Sequence, residues 1–98
     1  MSDFLVEILP EAEAEAREAF LWYSKRSTIA AEAFRAELIK AIDGLSMHPM
    51  MWPADADGIR LQLLRHFPYT LHYEVRDQTV TVLAVAHQRR RPGYWLDR

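Results

Sequence analysis

The 98-residue chain has no cysteine, so it can form no disulfide, no thiolate metal site and no thiol nucleophile. Small secreted domains usually depend on disulfides, so this absence points to a reducing, cytoplasmic setting. Its three glycines, Gly44, Gly58 and Gly93, are too scattered for a GxGxxG turn or a P-loop. No serine lies in a GxSxG elbow, and the four histidines (His48, His66, His72, His87) lack a metal-ligand spacing such as HExxH. Neither a metal nor a cofactor is expected. No run approaches the roughly 20 apolar residues of a membrane span, so no membrane partner is expected. The opening MSDFLVEILP has no basic stretch and breaks its apolar run with Asp3 and Glu7, unlike a signal peptide. There are no internal repeats and no low-complexity segment. Most standard enzyme classes lose their support on these grounds.

What is present describes one globular domain over residues 1–98. Half the residues are hydrophobic and 11% are aromatic, too many for a disordered chain. A domain of this size buries roughly 60–70% of its unfolded surface, which makes an adequate but not generous core. The formal net charge of −2 hides an asymmetry. Residues 1–59 hold 5 Lys+Arg against 11 Asp+Glu, whereas residues 60–98 hold 7 Arg against 3 Asp+Glu. Two readings stay open: an anionic or acidic partner on the C-terminal half, or acidic helix surfaces beside solvated arginines.

The periodicity predicts the elements in order. Phe4 to Leu9 alternates as a short strand. Pro10 suits the first turn of a helix, and Glu11, Glu13 and Glu15 favour its N-terminal dipole. Ala12, Ala16, Ala19, Phe20 and Tyr23 form a stripe at helical spacing, so helix one runs from about Pro10 to Arg26. Ser27 or Thr28 caps helix two. Its seam of Ala31, Phe34, Leu38, Ala41 and Leu45 continues to about Ser46. The short link makes the helices an antiparallel hairpin. His48-Pro49 ends the second helix, and Met50 to Gly58 is a loop. A strand then precedes Phe67-Pro68-Tyr69, read as a tight link because proline cannot hold a central ladder position. Leu71, Tyr73 and Val75 alternate with His72, Glu74 and Arg76; Asp77-Gln78 is a polar break; and TVTVLAVA is a central strand apolar on both faces. The expected fold is α+β, in the order β-α-α-β-β-β, with a helical hairpin on one face of a small, mainly antiparallel sheet. The other sheet face is expected to lie open. Phe20, Tyr23, Phe34, Leu38, Leu45, Tyr73 and Val82 are expected to meet in one core.

The last strand runs directly into His87-Gln88-Arg89-Arg90-Arg91-Pro92-Gly93-Tyr94-Trp95, which concentrates positive charge on a rigid element. His87, Arg89, Arg90 and Arg91 can bind phosphates, and Tyr94 and Trp95 can stack on a base. A histidine beside arginines also suits acid–base chemistry on a phosphodiester. The bland alternative is a solvated tail that caps a sheet edge, with Trp95 folding back onto the core. His72 points away from Leu71 and Val75, towards the face expected to be open. Arg60 and Arg65 flank the second strand, either as target contacts or as edge charges that discourage strand addition. At about 100° per residue, Leu21 lies nearly opposite the core stripe of helix one and Trp22 lies at its boundary, a pair suited to a partner surface.

Taken together, the element order, His48-Pro49 after helix two, Arg60 opening the next strand, Phe67-Pro68-Tyr69-Thr70-Leu71-His72-Tyr73 and the ending Ala86-His87-Gln88-Arg89-Arg90-Arg91-Pro92 resemble the RelE/ParE superfamily of type II toxins. The resemblance covers nearly the whole chain. It implies a bacterial cytoplasmic toxin neutralised by a cognate antitoxin that lays an extended or helical segment across it, with Leu21 and Trp22 as antitoxin contacts. RelE-like members cut mRNA on the ribosome, whereas ParE-like members act on DNA gyrase. The mRNA-cutting branch typically carries an arginine where this chain has Thr70, and it favours a lysine-rich second strand, whereas residues 59–66 contain no lysine. The Phe-Pro-Tyr and His-x-Arg-Arg-x-Pro segments are closer to ParE-like members. The resemblance therefore implies a ParE-like toxin that binds gyrase without chemistry of its own. His87, Arg89, Arg90, Arg91, Tyr94, Trp95, Arg60 and Arg65 would be its target contacts. The alternatives are a ribosome-dependent endoribonuclease using His87, Arg90 and Tyr94, or a degenerate, non-toxic member.

Overall fold

Pro10 and Ser27 set where the helices begin. In a computed structural model, which describes residues 3–98, the elements are β1 (Leu5–Ile8), α1 (Pro10–Ser24), α2 (Thr28–Leu45), β2 (Ile59–Leu63), β3 (Tyr69–Arg76) and β4 (Thr79–His87). The Ser27 side chain accepts the Ala30 N–H at 3.1 Å, an N-cap that satisfies one of the orphan donors of α2. α1 stops two residues before the expected Arg26. The Ser27 backbone is extended there, and its N–H and that of Arg26 both turn back to the Tyr23 carbonyl. A single 3₁₀ turn at Pro49–Met51 interrupts the expected loop.

The sheet order is β1-β4-β3-β2: β1 runs parallel to β4, and the other two pairings are antiparallel. The helical hairpin covers one face. Its seam is the expected one, with Ala31, Phe34, Leu38, Ala41 and Leu45 buried. These pack on Leu71, Tyr73, Val80, Val82 and Val85, with Phe20 and Tyr23 against the same cluster. Tyr69 opens β3 rather than completing the link. It joins Tyr23, Phe34 and Phe67 in an aromatic cluster, with Phe34–Phe67 centroids 5.4 Å and Phe34–Tyr69 centroids 5.3 Å apart. Edge-to-face pairs of this kind add about 0.5–1.5 kcal/mol each beyond their buried area. The Tyr73 hydroxyl donates to the Pro49 carbonyl at 2.7 Å, which ties the loop after α2 to the core.

The pairing of β3 with β4 slips once. His72 faces Ala84 but Tyr73 faces Val82, so Leu83 is the extra residue of a β-bulge. The bulge flips the phase of β4. Val80 and Val82 face the helices before it, Val85 faces them after it, and Ala84 and Ala86 turn to the outer face. The outer face is not bare, contrary to the open face expected. The chain after β4 folds back over it, and His72 is only 7% exposed.

Candidate functional site

β4 outruns its neighbour. β1 pairs with it only as far as Ile8↔Val82, so the Leu83 carbonyl and the Val85 N–H face an edge with no strand beside it. Glu15 of α1 fills that gap. One carboxylate oxygen accepts the Val85 N–H at 2.9 Å and Arg98 at 3.0 Å; the other accepts the Tyr94 hydroxyl at 2.6 Å and Arg98 at 3.1 Å. Arg98 also donates to the Leu83 carbonyl at 3.0 Å. The ion pair is well enclosed, with side chains 16% (Arg98) and 11% (Glu15) exposed. Burial alone raises the pKa of Glu15. The hydrogen bonds from Arg98, Tyr94 and Val85, with the Arg98 charge, outweigh burial and hold the carboxyl below its ordinary value. Burial and the neighbouring carboxylate push the Tyr94 phenol up to about 12. Tyr94 is therefore a neutral donor, locked to Glu15 and flanked by Arg90 at 4.0 Å and Arg98 at 5.0 Å from its ring centre.

This arrangement divides the predicted basic cluster between two sides of the sheet. His87 faces the helices, edge-on to Tyr69 at 5.1 Å, and its Nδ1 accepts the Arg89 N–H at 3.1 Å. With Glu15, Glu18, Trp22, Tyr69 and Arg90 it lines a groove of about 470 Å³ between α1 and the end of β4. On the outer face, Trp95 stacks on His72 with ring centres 3.7 Å apart. A second hollow, of about 360 Å³, lies on that face beside Trp95, and Arg90 and His87 stand at the rim between the two. Arg89, Arg90 and Arg91 are exposed. Arg60 and Arg65 do not join this group. Arg60 donates to the Trp52 carbonyl and, at 3.4 Å, to that of Met50, so it braces the loop. Arg65 lies at the exit of β2 beside α2, where its backbone N–H is held by Glu37.

The family model described as the ParE toxin of the type II toxin–antitoxin system, parDE, matches residues 6–92. The chain belongs to that family. The fold of this ParE-family toxin is also that of a solved chain described as the chromosomal ParDE TA system from P. aeruginosa. The TM-score is 0.76 at 14% identity, and the match covers 86% of this chain and 95% of that one. No curated protein matches the chain. The matched range ends just before the segment that Glu15 clamps.

In this toxin the Trp22 ring is half exposed, with the Arg26 guanidinium 3.7 Å from its centre, and Leu21 beside it is 50% exposed. Two residues of the site escape a sequence reading. Glu15 passes for one of several helix-start acids, and Arg98 for a chain-end charge; only the free edge of β4 gives them a shared purpose. No helix is long and apolar enough to cross a membrane among the described residues.

Proposed function

We propose that this ParE-family chain is a growth-inhibiting toxin that works in the cytoplasm by binding DNA gyrase. It would do so through the end of β4 and the basic tail, and be neutralised by a cognate antitoxin. The observation that carries the target reading is the exposed run Arg89–Arg90–Arg91 just after β4, which pairs with β3 as far as His87. The run is presented from a rigid base, with Arg90 laid on the Tyr94 ring. Cations clustered at one end of the sheet steer encounter with an acidic surface. His87 and Arg90 on the rim of the α1–β4 groove extend the contact. The antitoxin footprint is assigned to the Leu21–Trp22 face of α1, an apolar pair beside the same groove.

Purified toxin incubated with gyrase and supercoiled plasmid, and separately with translating ribosomes, tests the target. Inhibition of gyrase with intact mRNA is the expected result. Cleavage of ribosome-bound mRNA with unaffected gyrase overturns the reading and moves His87 and Arg90 into the roles of a ribonuclease.

A further inference from the structure

We infer that residues 93–98 are a displaceable latch, clamped shut by Glu15 of α1, whose release uncovers His72 on the outer sheet face and the Leu83 carbonyl at the edge of β4 when the target binds. Only that last clause rests on the proposed function; the latch itself stands on the geometry of the free chain. The Glu15 carboxylate gathers Tyr94 and Arg98 of the tail, so one charge supplies most of the hydrogen bonds that hold the tail to the body, beside the Arg98–Leu83 bond and the Trp95–His72 stack. What the tail closes over is less well satisfied. Neither His72 Nδ1 nor Trp95 Nε1, buried in the stacked pair, has a hydrogen-bond partner among the described residues.

Buried polar atoms are almost always partnered, and an orphan bears the cost of its lost hydration. Both nitrogens regain water when Trp95 lifts away, so the closed form is opposed from within. The segment also has a place to bend. Gly93 sits at a φ of +85°, a conformation that side-chain-bearing residues rarely adopt, between exposed Pro92 and half-buried Tyr94. Beside Trp95 a hollow of about 360 Å³ already separates the tail from Leu61, Thr70 and Ala86. Opening would free the Leu83 carbonyl from Arg98, at an edge where an incoming group can pair, while Glu15 of α1 keeps its hold on the Val85 N–H. The family match stops at residue 92, so the latch lies beyond the part of the chain that the match covers.

The latch is read in the free 98-residue chain from hydrogen exchange of its three tryptophan indoles by ¹⁵N NMR. Modification of His72 by diethyl pyrocarbonate, located by mass spectrometry, is the second readout. Glu15→Gln and Arg98→Ala should each speed exchange of the Trp95 indole by about ten-fold or more, the effect of losing a charge-assisted hydrogen bond. Each should also make His72 reactive, while Trp52 keeps its wild-type rate. The Arg98 side chain lies outside the hydrophobic core, so Arg98→Ala keeps the test valid if Glu15→Gln loosens the fold. Unchanged Trp95 exchange and an unreactive His72 in Arg98→Ala overturn the latch. Gyrase added to wild-type toxin should expose the Trp95 indole as the variants do. Bound gyrase that leaves Trp95 protected breaks the link to the target. Failure of the wild type to bind gyrase at all removes the proposed target, while the variants still decide the latch.

Discussion

Glu15 shows how one side chain acquires a purpose that its local sequence does not announce. In the sequence it is one of three alternating glutamates at a helix start, each good for the dipole. In the fold it replaces a missing strand. Losing it should cost about 1.5–3 kcal/mol, the range for hydrogen bonds to a charged group. The larger penalty of a broken buried pair does not apply in full, because Arg98 keeps its hydrogen bond to the Leu83 carbonyl. The sign of the pH dependence follows from the lowered pKa. A carboxyl depressed in the folded state stabilises above its ordinary value of 4.5, and that contribution is lost as pH falls through the folded value. Glu37 is depressed too: its burial penalty is outweighed by hydrogen bonds from His66 and Arg65, so it adds to the same acid limb. Tyr94 behaves oppositely. Its raised pKa contributes stability that is complete below 10.0 and lost as pH rises towards about 12. Glu15→Gln should therefore lower the melting temperature at neutral pH and flatten its decline below pH 4.5. Thermal melts of both proteins across that range check it, and parallel acid limbs would remove Glu15 from the account.

At the scale of elements, local rules and global packing agree in the helices. The seam Ala31, Phe34, Leu38, Ala41, Leu45 is buried as its spacing dictates, because a helix with one apolar stripe has only one face to hide. Phe34 is 1% exposed and touches three aromatic rings, so Phe34→Ala should cost about 3–5 kcal/mol; Leu38→Ala should cost about 2–5 kcal/mol. Urea denaturation measures both, and near-neutral values would refute the assigned helix face. The strands were legible in kind but not in phase. In TVTVLAVA every position is apolar or β-branched, so alternation cannot reveal where Leu83 bulges out. That bulge decides which side His87 and the tail occupy. The turn of β3 into β4 was legible, since Asp77 at a φ of +53° is a residue type that tolerates the left-handed region. The covered outer face was not legible, because a stack between His72 and Trp95 depends on contacts 23 residues apart that no spacing rule encodes.

The whole molecule separates two surfaces that the sequence placed in different halves, acidic and basic. The fold brings them to opposite walls of one groove, with Trp22 from α1 on one side and His87 and Arg90 from the end of β4 on the other. Arg89 and Arg91 are exposed, and Arg90 only rests on the Tyr94 ring; none of the three has an enclosed ion pair like that of Arg98 among the described residues. Replacing Arg89, Arg90 and Arg91 together with alanine should therefore leave the melting temperature nearly unchanged and abolish growth inhibition on induction. Full toxicity of that variant would show that the tail never meets the target. The other wall carries the antitoxin reading. Trp22 spends half its surface on water, held flat by Arg26 and edge-on to Tyr23 at 5.0 Å, which is a poor use of a large ring unless a partner covers it. Since the core does not depend on it, Trp22→Ala should leave the free toxin folded. It should weaken binding of the cognate antitoxin by more than about 1 kcal/mol, the threshold for an interface anchor. Calorimetric titration of the two proteins measures this. An unchanged affinity would return Trp22 to simple helix packing and direct the search for the antitoxin footprint to the groove between α2 and β2, where Leu63 is also exposed.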